Sequence, residues 1–156
     1  MSVKTLQFVQ LKKQLDEKFD VYHDGFTNVL HLHKREDLKA DSTSGLANIL
    51  KVAHIGPGSF GIYAPTATKQ FWGVRKPLLE KLQKLYKDNW ALVLLEESSA
   101  VGYYYNPSDV RNSASSWSAD ASGEDFKITA ANLGYMRSFT SFEELRGLLR
   151  ESGVEE

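Results

Sequence analysis

The run from Trp90 to Tyr105, WALVLLEESSAVGYYY, decides how the rest of the chain must be arranged. Ala91 to Leu95 is unbroken apolar sequence, short enough to be a strand buried on both faces. Glu96, Glu97, Ser98, Ser99 and Ala100 interrupt it with polar and small side chains. Val101 to Tyr105 then resumes with one glycine and three tyrosines, a composition that favours β structure. Two apolar runs joined in this way read as a hairpin. This hairpin is the most apolar surface in the chain, so the amphipathic segments on either side are expected to bury against it.

Immediately upstream, Leu78, Leu82, Leu85 and Tyr86 gather on one face of a helix expected over residues 76–87, with Pro77 suited to its first turn. Lys76, Lys84 and Lys87 lie opposite, with Glu80 four residues from both Lys76 and Lys84. Downstream, Asn106-Pro107-Ser108-Asp109 has the form of a cap opening a short helix. Ser113 to Gly123 (SASSWSADASG) reads as a loop that nonetheless contains Trp117, and Asp125 to Ile128 as a strand. Ser141-Phe142-Glu143-Glu144 is a capping box, and Phe142, Leu145, Leu148 and Leu149 make the following helix, over 141–150, amphipathic.

Towards the N-terminus, Phe8, Leu11, Leu15 and Phe19 share helical spacing over 3–19. Val29 to His33 alternates as a strand does, with Leu30 and Leu32 on one face and His31 and His33 on the other, expected to be wet. Lys34 to Gly45 is a polar connection. Leu46 to Ile55 reads as a strand, although its first half also suits a helix, and Ile62-Tyr63 as a short strand stopped by Pro65. Three main helices with strands clustered between them indicate an α+β fold. The sheet is expected to be mixed or mostly antiparallel, centred on the 90–105 hairpin, within a single domain over residues 1–156.

Composition narrows the class of function. At 156 residues, 42% hydrophobic and 25% charged, the chain is neither a disordered segment nor a membrane-embedded one. No apolar run approaches the roughly 20 residues of a membrane-spanning helix. The opening MSVKTLQFVQLKKQ lacks the apolar core of a secretory signal, so a cytoplasmic location without a membrane partner is expected. The absence of cysteine excludes disulfides and thiolate chemistry. Net charge is −1, but it is unevenly spread. From Lys69 to Lys87, Lys69, Arg75, Lys76, Lys81, Lys84 and Lys87 face Glu80 alone, a local charge of +5. From Asp88 to Asp125, seven acids face only Arg111, a local charge of −6. That polarity suits either an anionic partner or intramolecular complementarity.

Residues 55–63, IGPGSFGIY, match G-x-G-x-x-G and resemble the glycine-rich loop of protein kinases over about nine residues. The resemblance implies backbone N–H groups approaching a phosphate, with Gly58 and Ser59 as the donors. The remaining kinase elements (V-A-I-K, H-R-D and D-F-G) are absent from the sequence. A dinucleotide fold would need a helix where Ile62-Tyr63 and Pro65 stand. A tight glycine-bearing turn between strands accounts for the same residues.

Two further patterns touch on chemistry. His31 and His33 have the spacing of a strand-borne metal pair, which would need a third ligand from His23, His54 or an acid; two histidines on a wet strand face is the simpler reading. Asp109 followed by Asp125-Phe126-Lys127 echoes metal-dependent nucleases, in which two carboxylates hold a divalent ion and a lysine stabilises charge. Asp109, however, falls in the first turn of a helix, where an acid complements the dipole. No G-x-S-x-G elbow is present. No catalytic set, metal or cofactor is therefore expected.

The strongest remaining lead is cationic and aromatic. It indicates a small intracellular module that contacts nucleic acid through Arg75, Lys76, Lys84 and Lys87, with Trp72 as aromatic neighbour, Gly58 and Ser59 as phosphate donors, and Lys127 as an outlying contributor. The alternatives are a metal-dependent phosphodiesterase using Asp109, Asp125 and Lys127, and a protein-interaction subunit marked by an exposed apolar patch.

Overall fold

The computed structural model describes residues 3–23, 27–34, 59–97, 101–119, 121–133 and 136–154. In chain order these form α1 (Val3–Asp16), β1 (Phe19–Tyr22), β2 (Val29–Lys34), β3 (Ser59–Tyr63), β4 (Thr66–Ala67), β5 (Phe71–Arg75) and α2 (Lys76–Tyr86). After them come β6 (Trp90–Glu96), β7 (Gly102–Tyr105), α3 (Pro107–Ser113), a 3-10 turn (Ala114–Ser116), β8 (Ser118–Ala119) and β9 (Asp125–Thr129). The described part closes with α4 (Ala130–Leu133), β10 (Arg137–Phe139) and α5 (Phe142–Glu151).

The fold is α+β, with a mixed seven-stranded sheet in the order β1-β2-β3-β6-β7-β10 and β4 also paired to β6; β5-β9-β8 form a separate small sheet. The hairpin holds the centre. Strands β6 and β7 run antiparallel, with Leu92 opposite Tyr105 and Leu95 opposite Gly102. On the other side of β6, β3 pairs parallel with its first half and β4 with its second. Pro65 lies between β3 and β4, has no N–H to donate, and instead accepts a hydrogen bond from the Leu95 N–H at 3.0 Å. The proline thus stops β3 without breaking the ladder beside β6.

Because successive strand residues point to opposite faces, β6 divides the core in two. Ala91, Val93 and Leu95 join Leu30, Leu32, Phe60, Ile62 and Tyr104 on one face, covered by Leu11 and Leu15 of α1 and Leu145 and Leu149 of α5. Trp90, Leu92 and Leu94 join Tyr63 and Tyr105 on the other, covered by Leu79, Leu82 and Tyr86 of α2 and by Trp72, Val74 and Ile128 of the small sheet. The α2 layer and the small sheet therefore lie on the same side of the large sheet, and their solvent faces look outward together.

The second and third helices match their expected bounds to within a residue. The first stops at Asp16 rather than 19. Phe19 keeps the helical spacing and is buried, but as the first residue of β1, where it pairs with Lys34. A period of 3.6 and a strand entered after a short turn place the same side chain inward, and sheet pairing decides between them. The Ser113–Gly123 stretch holds the end of α3, the 3-10 turn and β8, and it buries Trp117. The elements β5, β10 and α4 have no strong local pattern and were not anticipated. The expected strand over Leu46–Ile55 lies outside the described residues. No helix among the described residues is long and apolar enough to cross a membrane.

Candidate functional site

The site begins at the junction of β5 and α2. Arg75 is extended (φ −80°, ψ 118°) and serves as the N-cap residue, and Pro77 sits in the first turn, where its missing N–H leaves no intrahelical bond unmade. The Tyr63 hydroxyl accepts from the Arg75 N–H at 3.0 Å, fixing the corner to β3; burial raises the pKa of that phenol. Along α2, Leu79, Leu82 and Tyr86 recur at three and four residues and are buried. They approach β3 so closely that a Cβ at Gly61 would lie 2.7 Å from both Leu82 Cδ2 and Tyr86 Cε2. Gly61, the last glycine of the kinase-like motif, is thus a packing residue beneath a helix, inside a strand rather than a turn.

With that face buried, the opposite face of α2 presents Lys76, Lys81 and Lys84 to solvent, and Lys87 follows at the C-cap. None of these four lysines forms an ion pair within the described residues. Three of the acids that follow them in sequence pair with arginines instead: Asp88 with Arg111 at 3.7 Å, Asp109 with Arg137 at 2.8 Å and Asp125 with Arg75 at 3.7 Å. The last of these partly occupies Arg75, although a pair this open is weak. Lys76 is also engaged locally, its Nζ lying 5.2 Å from the centre of the Phe126 ring. Glu80 is the acid exposed among the lysines of the helix.

Two of the expected contact residues are displaced. Trp72 is not an aromatic surface: it is fully buried, and its Nε1 donates to the Leu95 carbonyl at 2.9 Å, tying the small sheet to β6. The exposed ring is its neighbour Phe71. Ser59 is not a surface donor to phosphate either, because it is 2% exposed within β3. Gly58 lies outside the described residues. Lys127 does reach the surface region around Phe71, with its Nζ 5.9 Å from the ring centre.

The histidine face of β2 is dry. His31 is 8% and His33 6% exposed, since α2 and its neighbours cover that side of the sheet. His31 Nδ1 lies 2.6 Å from the Tyr86 hydroxyl, a buried contact that pins α2 to the sheet. Burial holds the Tyr86 phenol protonated well above its usual range. Register sets Asp20, His33 and Ser59 side by side across three strands, but the Ser59 Oγ makes no hydrogen bond, so no Ser-His couple is formed. Among the described residues no group of three histidines or acids is placed to hold a metal ion.

The three nuclease-like residues are each committed elsewhere. The Asn106 side chain accepts from the Asp109 N–H at 2.7 Å, and Asp109 Oδ2 accepts from the Asn106 N–H at 3.0 Å, a complete capping box. The same Oδ2 takes Arg137. Asp125 faces Arg75, and Lys127 faces Phe71. An apolar docking patch is also missing from the described surface, where Phe71 is the one large exposed hydrophobic residue.

Two further residues belong to this surface. Lys81 lies on the exposed arc of α2, where helical spacing by itself places it. In the strand FWGVR, alternation only sets Phe71 opposite Trp72 and Val74; the layer that covers the Trp72 side leaves Phe71 outward. The chain matches no family model, no curated protein and no solved structure with which it was compared.

Proposed function

We propose that this protein is a small nucleic-acid-binding module, acting from within the cell, whose principal contact surface is the solvent face of α2. The single observation supporting this is the set of exposed ammonium groups on Lys76, Lys81, Lys84 and Lys87, none of them ion-paired within the described residues. The buried side of the same helix holds it rigidly against β3, so the cations are presented in a fixed row rather than on a loose tail. A phosphate backbone is the partner that rewards such a row, because each neutralised phosphate releases condensed counterions. Arg75 adds a guanidinium at the head of the helix once its open pair with Asp125 yields to phosphate.

The test is fluorescence anisotropy with labelled DNA and RNA, single-stranded and duplex, across a salt series. Engagement of four phosphates predicts a steep salt dependence, with affinity for duplex DNA falling on the order of 100-fold between about 50 and 200 mM salt. The Lys76→Glu/Lys84→Glu/Lys87→Glu variant should lose nearly all binding, and single Lys→Ala changes should each flatten the salt slope by roughly one unit. Wild-type protein that binds no nucleic acid at low salt, or a triple variant that binds as wild type does, overturns the proposal.

A further inference from the structure

Residues opposite one another in an antiparallel ladder share a face, so Phe71 with Thr129, Gly73 with Lys127 and Arg75 with Asp125 stand together on the outward side of the small sheet. The inward side, with Trp72, Val74 and Ile128, is fully buried. On the outward side Phe71 is 53% exposed. Gly73, two residues along, leaves a bare floor: a Cβ there would meet nothing closer than Lys127 Nζ, at 3.9 Å. That ammonium thus lies above Gly73 and over the Phe71 ring, 5.9 Å from its centre. The strip offers an exposed aromatic ring with a cation on one of its faces.

We infer that this strip is a stacking subsite for an unpaired base of a single-stranded nucleic acid, with Phe71 as the platform and Lys127 on the adjoining phosphate. The inference rests on the nucleic-acid reading above and specifies its ligand. A base in a duplex has both faces covered by its neighbours, so an exposed ring gains contact only from an unstacked base. A protein partner would call for a contiguous apolar patch, and among the described residues Phe71 is the one large exposed hydrophobic residue. Charge complementarity points the same way, since β5 runs directly into α2 and both face outward on one side of the large sheet. A strand whose base sits on Phe71 therefore has the lysine row within the same surface.

Anisotropy with a labelled oligo(dT) and with a duplex of equal length separates the possibilities. Phe71→Ala should weaken oligo(dT) binding about tenfold and leave duplex binding unchanged. Phe71→Trp should restore it and show quenching of indole fluorescence as oligo(dT) is added. Lys127→Ala should lower both the oligo(dT) affinity and its salt slope. A circular-dichroism melt of Phe71→Ala matching wild type establishes that any loss comes from the surface. If Phe71→Ala binds oligo(dT) as wild type does, while reversal of the α2 lysines abolishes binding, the stacking subsite is overturned and the α2 proposal stands. If wild type binds neither probe, both fall.

Discussion

Phe71 and Trp72 are adjacent, both aromatic, and opposite in fate. Strand alternation sends Trp72 into the core with its indole N–H satisfied by Leu95, and leaves Phe71 in water beside Lys127. Their substitutions should therefore separate cleanly in urea denaturation. Trp72→Ala removes a filled volume and one buried hydrogen bond, a loss of about 3–5 kcal/mol. Phe71→Ala should stay within about 0.5 kcal/mol of wild type, as surface changes do. Equal destabilisation by the two would mean that the register of β5 is wrong, and with it the aromatic platform. The identity of the exposed ring was not legible from the sequence reading because FWGVR is only five residues long and runs straight into a helix signal.

At the scale of elements, what matters most is how α2 meets β3. Gly61 allows the contact, Leu82 and Tyr86 fill it, and Tyr86 also reaches His31 across the sheet. A methyl group at position 61 forces the Leu82 and Tyr86 side chains, and with them the seat of the helix, to shift. Gly61→Ala is thus expected to cost about 1–3 kcal/mol through overpacking. By displacing α2 it should also weaken nucleic-acid binding without touching a basic residue. A Gly61→Ala protein with wild-type stability in chemical denaturation would show that α2 does not bear on β3 as described. The helix itself was readable in advance, since its apolar spacing and first-turn proline are local features. Its landing place was not, because Gly61 alone says nothing of which element crosses above it.

For the molecule as a whole, the two-sided core makes a prediction about alkaline pH. Tyr104 lies on one face of the large sheet and Tyr105 on the other. Burial pushes both phenols up to about 12, and a hydrogen bond between Tyr104 and Ser152 only partly offsets this. In the unfolded chain each ionises near its usual value of 10. Between these values the unfolded state binds fewer protons than the folded state, so stability is intact below about pH 10 and falls as pH rises towards 12. The fall is on the order of 3 kcal/mol for Tyr104 and smaller for Tyr105. Tyr63 and Tyr86 shift in the same direction. Tyr105→Phe, which also removes a buried hydroxyl with no hydrogen-bond partner, should make the decline shallower. Stability that holds level through pH 12 would contradict burial of these rings on both faces.

The amino-acid pattern alone determined the central hairpin, the helices at 76–86 and 142–151, the capped start of α3 and the cationic row, because each depends on spacing within a few residues. Tertiary structure alone decided that the histidine face of β2 is dry, that Phe71 rather than Trp72 meets solvent, and that Asp88, Asp109 and Asp125 turn to arginines. These outcomes depend on strand register and on which layer covers which face of the sheet. Both are set by residues far apart in the chain, and local periodicity carries no information about them.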